Sequence, residues 1–513
     1  MTWRGFGTNI SFRSVAGTTY KHSRRRDVLH SLCFPATESR RRGFFRETLK
    51  MKPDRSEQYA GFVRKKSQYI NDKGFEPTWI PEWLHDFQKF LVDWSIRKGR
   101  SAIFADCGMG KTPMQLVWAQ NVVEKTGKNV MIATPIAVGA QTVAEAAKFG
   151  IEAMRSRDGK MPATTGIVVT NYEQLHKYDP SRFGGVVCDE SSSIKDAKSA
   201  RKATVVEFLR TVPYRFLCTA TAAPNDYWEL GTSSEALGLL GFRDMITTFF
   251  KQETQKDGLG WGRTKYRFRG HAEDPFWAWV CSWARSLRMP SDLGFDDTNF
   301  VLPELIEREI VVQSSMLRSG MLLAIPANGM REEREERRNS LRERCEKAAE
   351  ISMACEGPCV SWCELNPEAD LMEQLLTDVV QVSGSMSDDA KEEALIAFSR
   401  GQIKRLVTKP KIGAWGLNWQ HCHDTTVFPS HSFEQYYQLV RRFYRFGQKS
   451  SVTASIIVSE GEQGITDSLK RKKYQLNRMF EGIVRHMKDC MSLSSTDFFP
   501  TKEELPKWLS SSK

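Results

Sequence analysis

The eight residues Ala105-Asp106-Cys107-Gly108-Met109-Gly110-Lys111-Thr112 constrain this chain more than any other stretch. They follow the apolar Ala102-Ile103-Phe104 and precede the helix-like Met114-Gln115-Leu116-Val117-Trp118-Ala119, so the segment reads as strand, tight loop, helix. Small residues at Gly108 and Gly110 let the main chain close with its N–H groups turned inward, which is what a bound triphosphate requires. Lys111 would then reach the β and γ phosphates, and the Thr112 hydroxyl would sit on Mg2+. A pattern this short also arises by chance, and the strand and helix flanks are what argue against coincidence.

At 513 residues the chain has room for two or three domains with sizeable cores. Its 40% hydrophobic and 27% charged content is that of a soluble globular protein, and no apolar run approaches the roughly 20 residues of a membrane span. The net charge of +12 is uneven: residues 1–50 hold eleven Lys and Arg against three acids, 11 − 3 = +8, leaving 12 − 8 = +4 for the rest. Charge outside that stretch is thus weak evidence for nucleic acid, and any such reading must come from motifs. The 11 cysteines are odd in number and scattered, several in apolar strand-like settings, which points to a reduced, cytoplasmic protein. Cys355, Cys359 and Cys363, with His421-Cys422-His423, offer zinc-type donors but no CxxC pair, so a metal reading is set aside.

Residues 1–50 read as a basic, disordered leader or start-site extension. Their composition superficially fits a transit peptide, and Ser23-Arg24-Arg25-Arg26 a twin-arginine signal, but no adequate apolar segment follows. From Trp83 to Trp94 runs an amphipathic segment leading into the loop. Short apolar runs then alternate with polar helical sequence at Asn129–Ala133, Gly166–Thr170, Gly185–Cys188 and Arg215–Cys218. That rhythm predicts an α/β fold with a parallel sheet covered by helices. Residues 251–270 break it with Gly-rich basic sequence, expected as a solvated loop, with a DNA-contacting insertion as the alternative. Phe276, Trp279, Val280 and Trp283 share a helix face and are expected in the core. The mixed charges of 331–350 predict an exposed, salt-bridged helix. The α/β rhythm resumes at Cys359–Cys363, Val379–Val382, Arg405–Thr408, Thr425–Phe428 and Val452–Val458, and the tail from about 465 is expected to be helical, then loosely ordered.

Asp189-Glu190 ends the apolar run Gly185-Val186-Val187-Cys188 and so places two carboxylates at the C-terminal edge of a strand. In a nucleotide-hydrolysing fold the first would hold Mg2+ through waters and the second would polarise the attacking water.

The ordered set of motifs resembles superfamily-two helicases. Gln88, ADCGMGKT, Thr134-Pro135 with Gln141 to Phe149, Asp189-Glu190-Ser191-Ser192 and Thr219-Ala220-Thr221 match the first lobe. Gly384-Ser385 through Phe398, then Lys409 to Asn418, then Gln438-Leu439-Val440-Arg441-Arg442-Phe443-Tyr444-Arg445-Phe446-Gly447-Gln448 match the second. The last run is similar to the Q-x-x-G-R-x-x-R-x-G-Q box of Swi/Snf-type ATPases. With Ala223-Pro224-Asn225-Asp226-Tyr227 and Phe433-Glu434-Gln435-Tyr436-Tyr437-Gln438, the chain looks closest to the compact Swi/Snf-like helicases of bacteriophages and prophages. It departs from them in Ser191-Ser192 where many relatives have Ala or Gly and His, in Arg441 where Gly is usual, and in Thr221-Ala222-Ala223 where Thr-Pro is common.

The resemblance implies two tandem RecA-like parallel-sheet lobes with an ATP cleft between them. The expected organisation is 1–50 leader, 51–240 N-terminal lobe, 241–355 helical and loop insertion with a charged connecting helix, 356–475 C-terminal lobe, and 476–513 helical to disordered tail. It implies that Gln88 reads adenine, that Gly108, Gly110, Lys111 and Thr112 hold phosphate, and that Thr112 and Asp189 hold Mg2+ through water. Glu190 would be the catalytic carboxylate, Arg442 and Arg445 the arginine fingers, and Thr219 and Thr221 the couplers of nucleotide state to lobe movement. ATP and Mg2+ are the implied cofactors. The implied partner is nucleic acid, duplex DNA foremost, with phage or host replication and recombination proteins beside it in the cytoplasm of a bacterial host. The activity expected is that of an ATP-driven helicase or translocase. The alternatives are a motor subunit of a restriction or replication complex, or a DNA-binding scaffold without hydrolysis.

Overall fold

The computed structural model describes residues 73–136, 138–256, 262–314, 330–413 and 418–492. The expected leader at 1–50, residues 414–417 of the Lys409–Asn418 motif, and the end of the tail lie outside them.

Strand β1 (Arg100–Ala105) is buried from Ser101 onward, and helix α1 (Asp86–Lys98) leads into it. Helix α2 (Lys111–Thr126) returns the chain to β2 (Asn129–Thr134), followed by β3 (Ala153–Arg155), β4 (Ile167–Asn171), β5 (Phe183–Asp189) and β6 (Tyr214–Thr219). A hairpin of β7 (Phe250–Lys256) and β8 (Gly262–Phe268) then precedes helix α3 (Glu273–Cys281) and β9 (Ala284–Leu287). The seven-stranded sheet has the order β3-β4-β2-β5-β6-β1-β9, every pairing parallel. Its central strands are buried almost along their whole length, with apolar middles, because helices cover both faces. All strand C-termini therefore share one edge, where the loops after β1, β5 and β6 emerge together.

A second parallel sheet has the order β10-β15-β14-β11-β13-β12, from β10 (Leu305–Val312), β11 (Cys359–Trp362), β12 (Val379–Val382), β13 (Arg405–Thr408), β14 (Asp424–Val427) and β15 (Val452–Ser459). The fold is thus α/β with two parallel sheets, and among the described residues no helix is long and apolar enough to cross a membrane.

Three expectations need correction. The stretch 241–355, expected as an insertion, supplies an edge strand to each sheet, β9 to the first and β10 to the second. Within the stretch 251–270, expected as a solvated loop, β7 and β8 pair antiparallel, because Phe250 and Phe268 stack at 4.7 Å and dock on Phe276. The charged run at 331–350 is not wholly a solvated face. Helix α4 (Leu341–Ala354) carries Arg344 at 1% exposure, bound to the buried Glu368 at 2.7 Å and close to Glu462 at 3.5 Å.

The described part of the tail is helical, as expected. Helix α5 (Phe433–Val440) precedes β15, and the 30-residue helix α6 (Gln463–Ser492) follows it and returns to the first sheet. There Met479, Phe480, Ile483 and Met487 are buried, the Cys281 thiol donates to the Ile483 carbonyl, and the Ser286 N–H points to the Met487 sulfur. Phe276, Trp279, Val280 and Trp283 are buried in the same core.

Candidate active site

The chain leaves β1 at Ala105 and reverses through Gly108 and Gly110, whose φ angles of 91° and 74° are open to glycine and strained for other residues. Gly110 caps α2 with no capping side chain, so the first-turn amides of that helix face the loop without a side-chain acceptor. Lys111 donates from Nζ to the Ala105 carbonyl at 3.0 Å and to the Asp106 carbonyl at 3.5 Å. Burial opposes its charge, but Cys107, Glu190, Asp189 and Asp106 around it hold its pKa above the ordinary lysine value. Thr112 is half-buried in the same turn. Gln88, in the first turn of α1, accepts from the His85 N–H at 3.1 Å and donates to the Met109 carbonyl at 3.0 Å, so its amide braces the loop.

Strand β5 is buried throughout and delivers Asp189 beside α2, where Gln115, one turn after Lys111, donates to Asp189 Oδ1 at 2.6 Å. Burial, then the neighbouring Glu190 charge, pushes the Asp189 carboxyl up to about 6. Glu190 is held in the left-handed region at φ 47° and ψ 54°, a conformation that costs a non-glycine residue about 1–2 kcal/mol. What offsets that strain is orientation: the Glu190 carboxylate accepts from the Thr219 hydroxyl at 3.1 Å, and Gln438 Nε2 of α5 lies at 3.5 Å. Thr219 Oγ1 in turn accepts the Thr221 N–H at 3.1 Å, tying the acid pair to the chain after β6. The buried hydroxyls of Ser191, Ser192 and Thr221 have no hydrogen-bond partner among the described residues.

From the second sheet, Arg442 donates to the Gln438 carbonyl at 3.3 Å and to Gln438 Oε1 at 3.4 Å. Burial, then repulsion from Arg445, lowers Arg442 to about 10, while Cys107, Glu190 and Asp189 act in the opposite sense. Arg445 is lowered for the first reason and its guanidinium makes no hydrogen bond to a described residue. The structure therefore brings Lys111, Asp189, Glu190, Arg442 and Arg445 to one place, from two sheets.

Contacts absent from the sequence reading close the same cleft. Asp106 pairs with Arg441 at 2.6 Å and receives the Tyr437 hydroxyl, and Lys195 pairs with Glu434 on the same helix α5. Phe446, 42% exposed, lies with its backbone against Gly108, and its ring is 5.1 Å from Phe300, which in turn meets His85 at 5.0 Å. Only Gln115 had a local signal, its i+4 spacing from Lys111.

The residues present fit a magnesium–nucleotide complex in kind. A glycine loop and an uncapped helix end offer donors, Lys111 and two arginines offer charge, and Asp189 with Thr112 could hold a divalent ion. Neither a scan against protein-family models nor a search of curated proteins gave a match for this chain.

Proposed function

We propose that this chain is a superfamily-two, Swi/Snf-like ATP-dependent helicase or translocase, built of two RecA-like lobes and hydrolysing ATP to move along nucleic acid. One observation carries the reading. Arg442 and Arg445 of the second sheet converge on the acid pair and loop of the first, with Gln438 bridging Arg442 and Glu190 across 248 residues of sequence. Phosphoryl transfer calls for buried guanidiniums facing a glycine loop and an acid pair, because negative charge develops on the transferred group there.

In this reading Lys111 exchanges its main-chain carbonyls for phosphate oxygens, and Glu190, aimed by Thr219 and Gln438, takes the proton of the attacking water. Mg2+, held from Asp189 and Thr112, would neutralise charge on the phosphates. Arg442 and Arg445 stabilise the charge that develops on the transferred group. Gln88 braces the loop through the Met109 carbonyl and would read the adenine base. Thr219 and Thr221 couple the acid pair to the chain after β6.

Support for nucleic acid comes from the β7–β8 hairpin, whose exposed Lys251, Lys265 and Arg267 share one face with a single acid, Glu253. The opposite face is anchored through Tyr266 on Trp228 and Phe268 on Tyr227. Duplex DNA is the partner we assign, tracked along its backbone in the cytoplasm of a bacterial host, with replication or recombination proteins nearby.

The test is ATP turnover by the full chain with no nucleic acid, single-stranded DNA, duplex DNA and RNA, beside Lys111→Ala and Glu190→Gln. Duplex DNA should stimulate turnover, in a manner that falls steeply with salt, and both variants should abolish it. Arg442→Ala should lower kcat by about a thousandfold. Absence of turnover in every condition would overturn the proposal.

A further inference from the structure

We propose that Asp106, Arg441 and Tyr437 form a cross-cleft latch whose function is to position the Arg442 and Arg445 guanidiniums over the Gly108–Lys111 loop. The geometry is a closed set. Asp106 Oδ2 accepts from Arg441 Nη2 at 2.6 Å, while Oδ1 accepts from the Tyr437 hydroxyl and from the Cys107 N–H at 2.5 Å. Both carboxylate oxygens are thus engaged, one of them by both sheets. The pair is shielded, with side-chain exposures of 15% for Arg441 and 11% for Asp106. Such a pair is screened far less than a surface one and leaves a buried charge uncompensated when either partner is removed.

Arg441 is also preorganised. Its guanidinium lies 5.0 Å from the Tyr437 ring and 5.1 Å from the Tyr444 ring, and Nη1 reaches the Tyr444 carbonyl at 3.4 Å. A planar cation held between two rings can swing little, so the position of Asp106 is passed to the turn that carries Arg442 and Arg445. At the other end of the contact, Asp106 lies one residue beyond β1 and its own carbonyl receives Lys111. The latch therefore sets the distance between Lys111 and the arginine pair through rigid connections on both sides. Glu434, one turn before Tyr437 on α5, adds a second clasp to Lys195 beside the acid pair. Neither Asp106 nor Arg441 has a proton or charge to spare for the reaction, since each is consumed by the other. They are positioning residues, and their role in turnover rests on the ATPase reading above.

The test is a double-mutant cycle on the full chain with Asp106→Asn, Arg441→Gln and the pair together, with Tyr437→Phe and Arg441→Lys beside them. Two readouts are taken: ATP turnover, and hydrogen exchange of residues 105–112 and 433–446 without nucleotide. The latch predicts that each single change lowers kcat about tenfold with KM moved less than about threefold, and that the double variant is no worse than the worse single. Arg441→Lys should recover part of the loss and Tyr437→Phe should show a smaller one. Exchange in 105–112 and 433–446 should rise together in Asp106→Asn, although that substitution changes only the loop. Additive losses, or exchange at 433–446 unchanged in Asp106→Asn, would overturn the latch. If the wild-type chain turns over no ATP, the exchange arm decides alone, so the latch can stand or fall apart from the ATPase reading.

Discussion

Replacing Asp189 by Asn should make the protein more stable while silencing it, and the gain should depend on pH. The Asp189 carboxyl moves from 3.8 to about 6 on folding, because burial and then Glu190 disfavour its charge. A carboxyl raised in the folded state contributes stability that is fully present below the unfolded value and is lost as pH rises through the folded one. At pH 8 that loss amounts to roughly 3 kcal/mol at 1.36 kcal/mol per pH unit, and at pH 5 to roughly half as much. The amide of Asn carries no charge to desolvate, and its oxygen can still accept from Gln115 Nε2, now at 2.6 Å from Oδ1. Allowing for the lost attraction to Lys111, the variant should gain about 1–3 kcal/mol at pH 8 and clearly less at pH 5. Urea midpoints of both proteins at the two pH values measure the difference, and a magnesium–nucleotide complex should stabilise the wild type alone. An equal gain at pH 5 and pH 8, or a loss at pH 8, would refute the assignment of Asp189 as a carboxylate held against its own burial.

Two further substitutions probe the frame around the site. At Gly108 an added Cβ would stand 2.8 Å from the Phe446 backbone nitrogen at a φ of 91°, so Gly108→Ala should cost about 1–2 kcal/mol in backbone strain and move the two sheets apart. Thermal unfolding reads the first effect, and faster hydrogen exchange at residues 443–448 reads the second. Arg344→Ala would leave Glu368, 0% exposed, without its ion-pair partner, while Glu462 keeps Arg337 at 2.8 Å; it should destabilise by about 3–5 kcal/mol in urea, whereas Arg344→Met with Glu368→Gln should recover most of it. A loss under about 1 kcal/mol for Arg344→Ala would show that the triad is not held as buried ions.

What could be read from the residues divides by distance along the chain. Strands β2, β4, β5, β6, β11, β13 and β15 were visible as mostly apolar runs, because a strand buried on both faces is filled largely with apolar side chains. Strand β10 was not. It reads Leu-Ile-Glu-Arg-Glu-Ile-Val-Val, and its charges are tolerated because it is an edge strand, half exposed, paired only to β15. Strand β9, four residues with an arginine and a serine at the other sheet's edge, is buried but too short to stand out as an apolar run. Within the site, Lys111, Asp189 and Glu190 follow from a loop motif and from the end of an apolar run, whereas Arg442 and Arg445 rest on the resemblance alone. The contact of Asp106 with Tyr437 and Arg441 follows from neither, since a contact between residues 335 apart leaves no period in either local sequence. Arg344 misled in the opposite direction: an alternating charge run reads as solvated until Glu368 and Glu462 arrive from elsewhere to bury it.

The two sheets are joined in two chemically different ways, and the difference decides where movement can occur. Helix α6 starts after β15 of the second sheet and ends on the first, burying Met479, Phe480, Ile483 and Met487 there. Each such side chain is worth about 1.5–3 kcal/mol, and separating them exposes apolar surface with no compensating partner in water. The other joint is polar: Asp106 with Arg441 and Tyr437, Lys195 with Glu434, Gln438 with Glu190. Water can re-solvate each of those groups, which it cannot do for the apolar side chains under α6. Relative motion of the sheets is therefore directed to the loop that carries Lys111, with α6 as the part that holds. A ligand that takes Lys111 acts beside this polar joint, because the Asp106 carbonyl receives Lys111 while the Asp106 carboxylate holds Arg441.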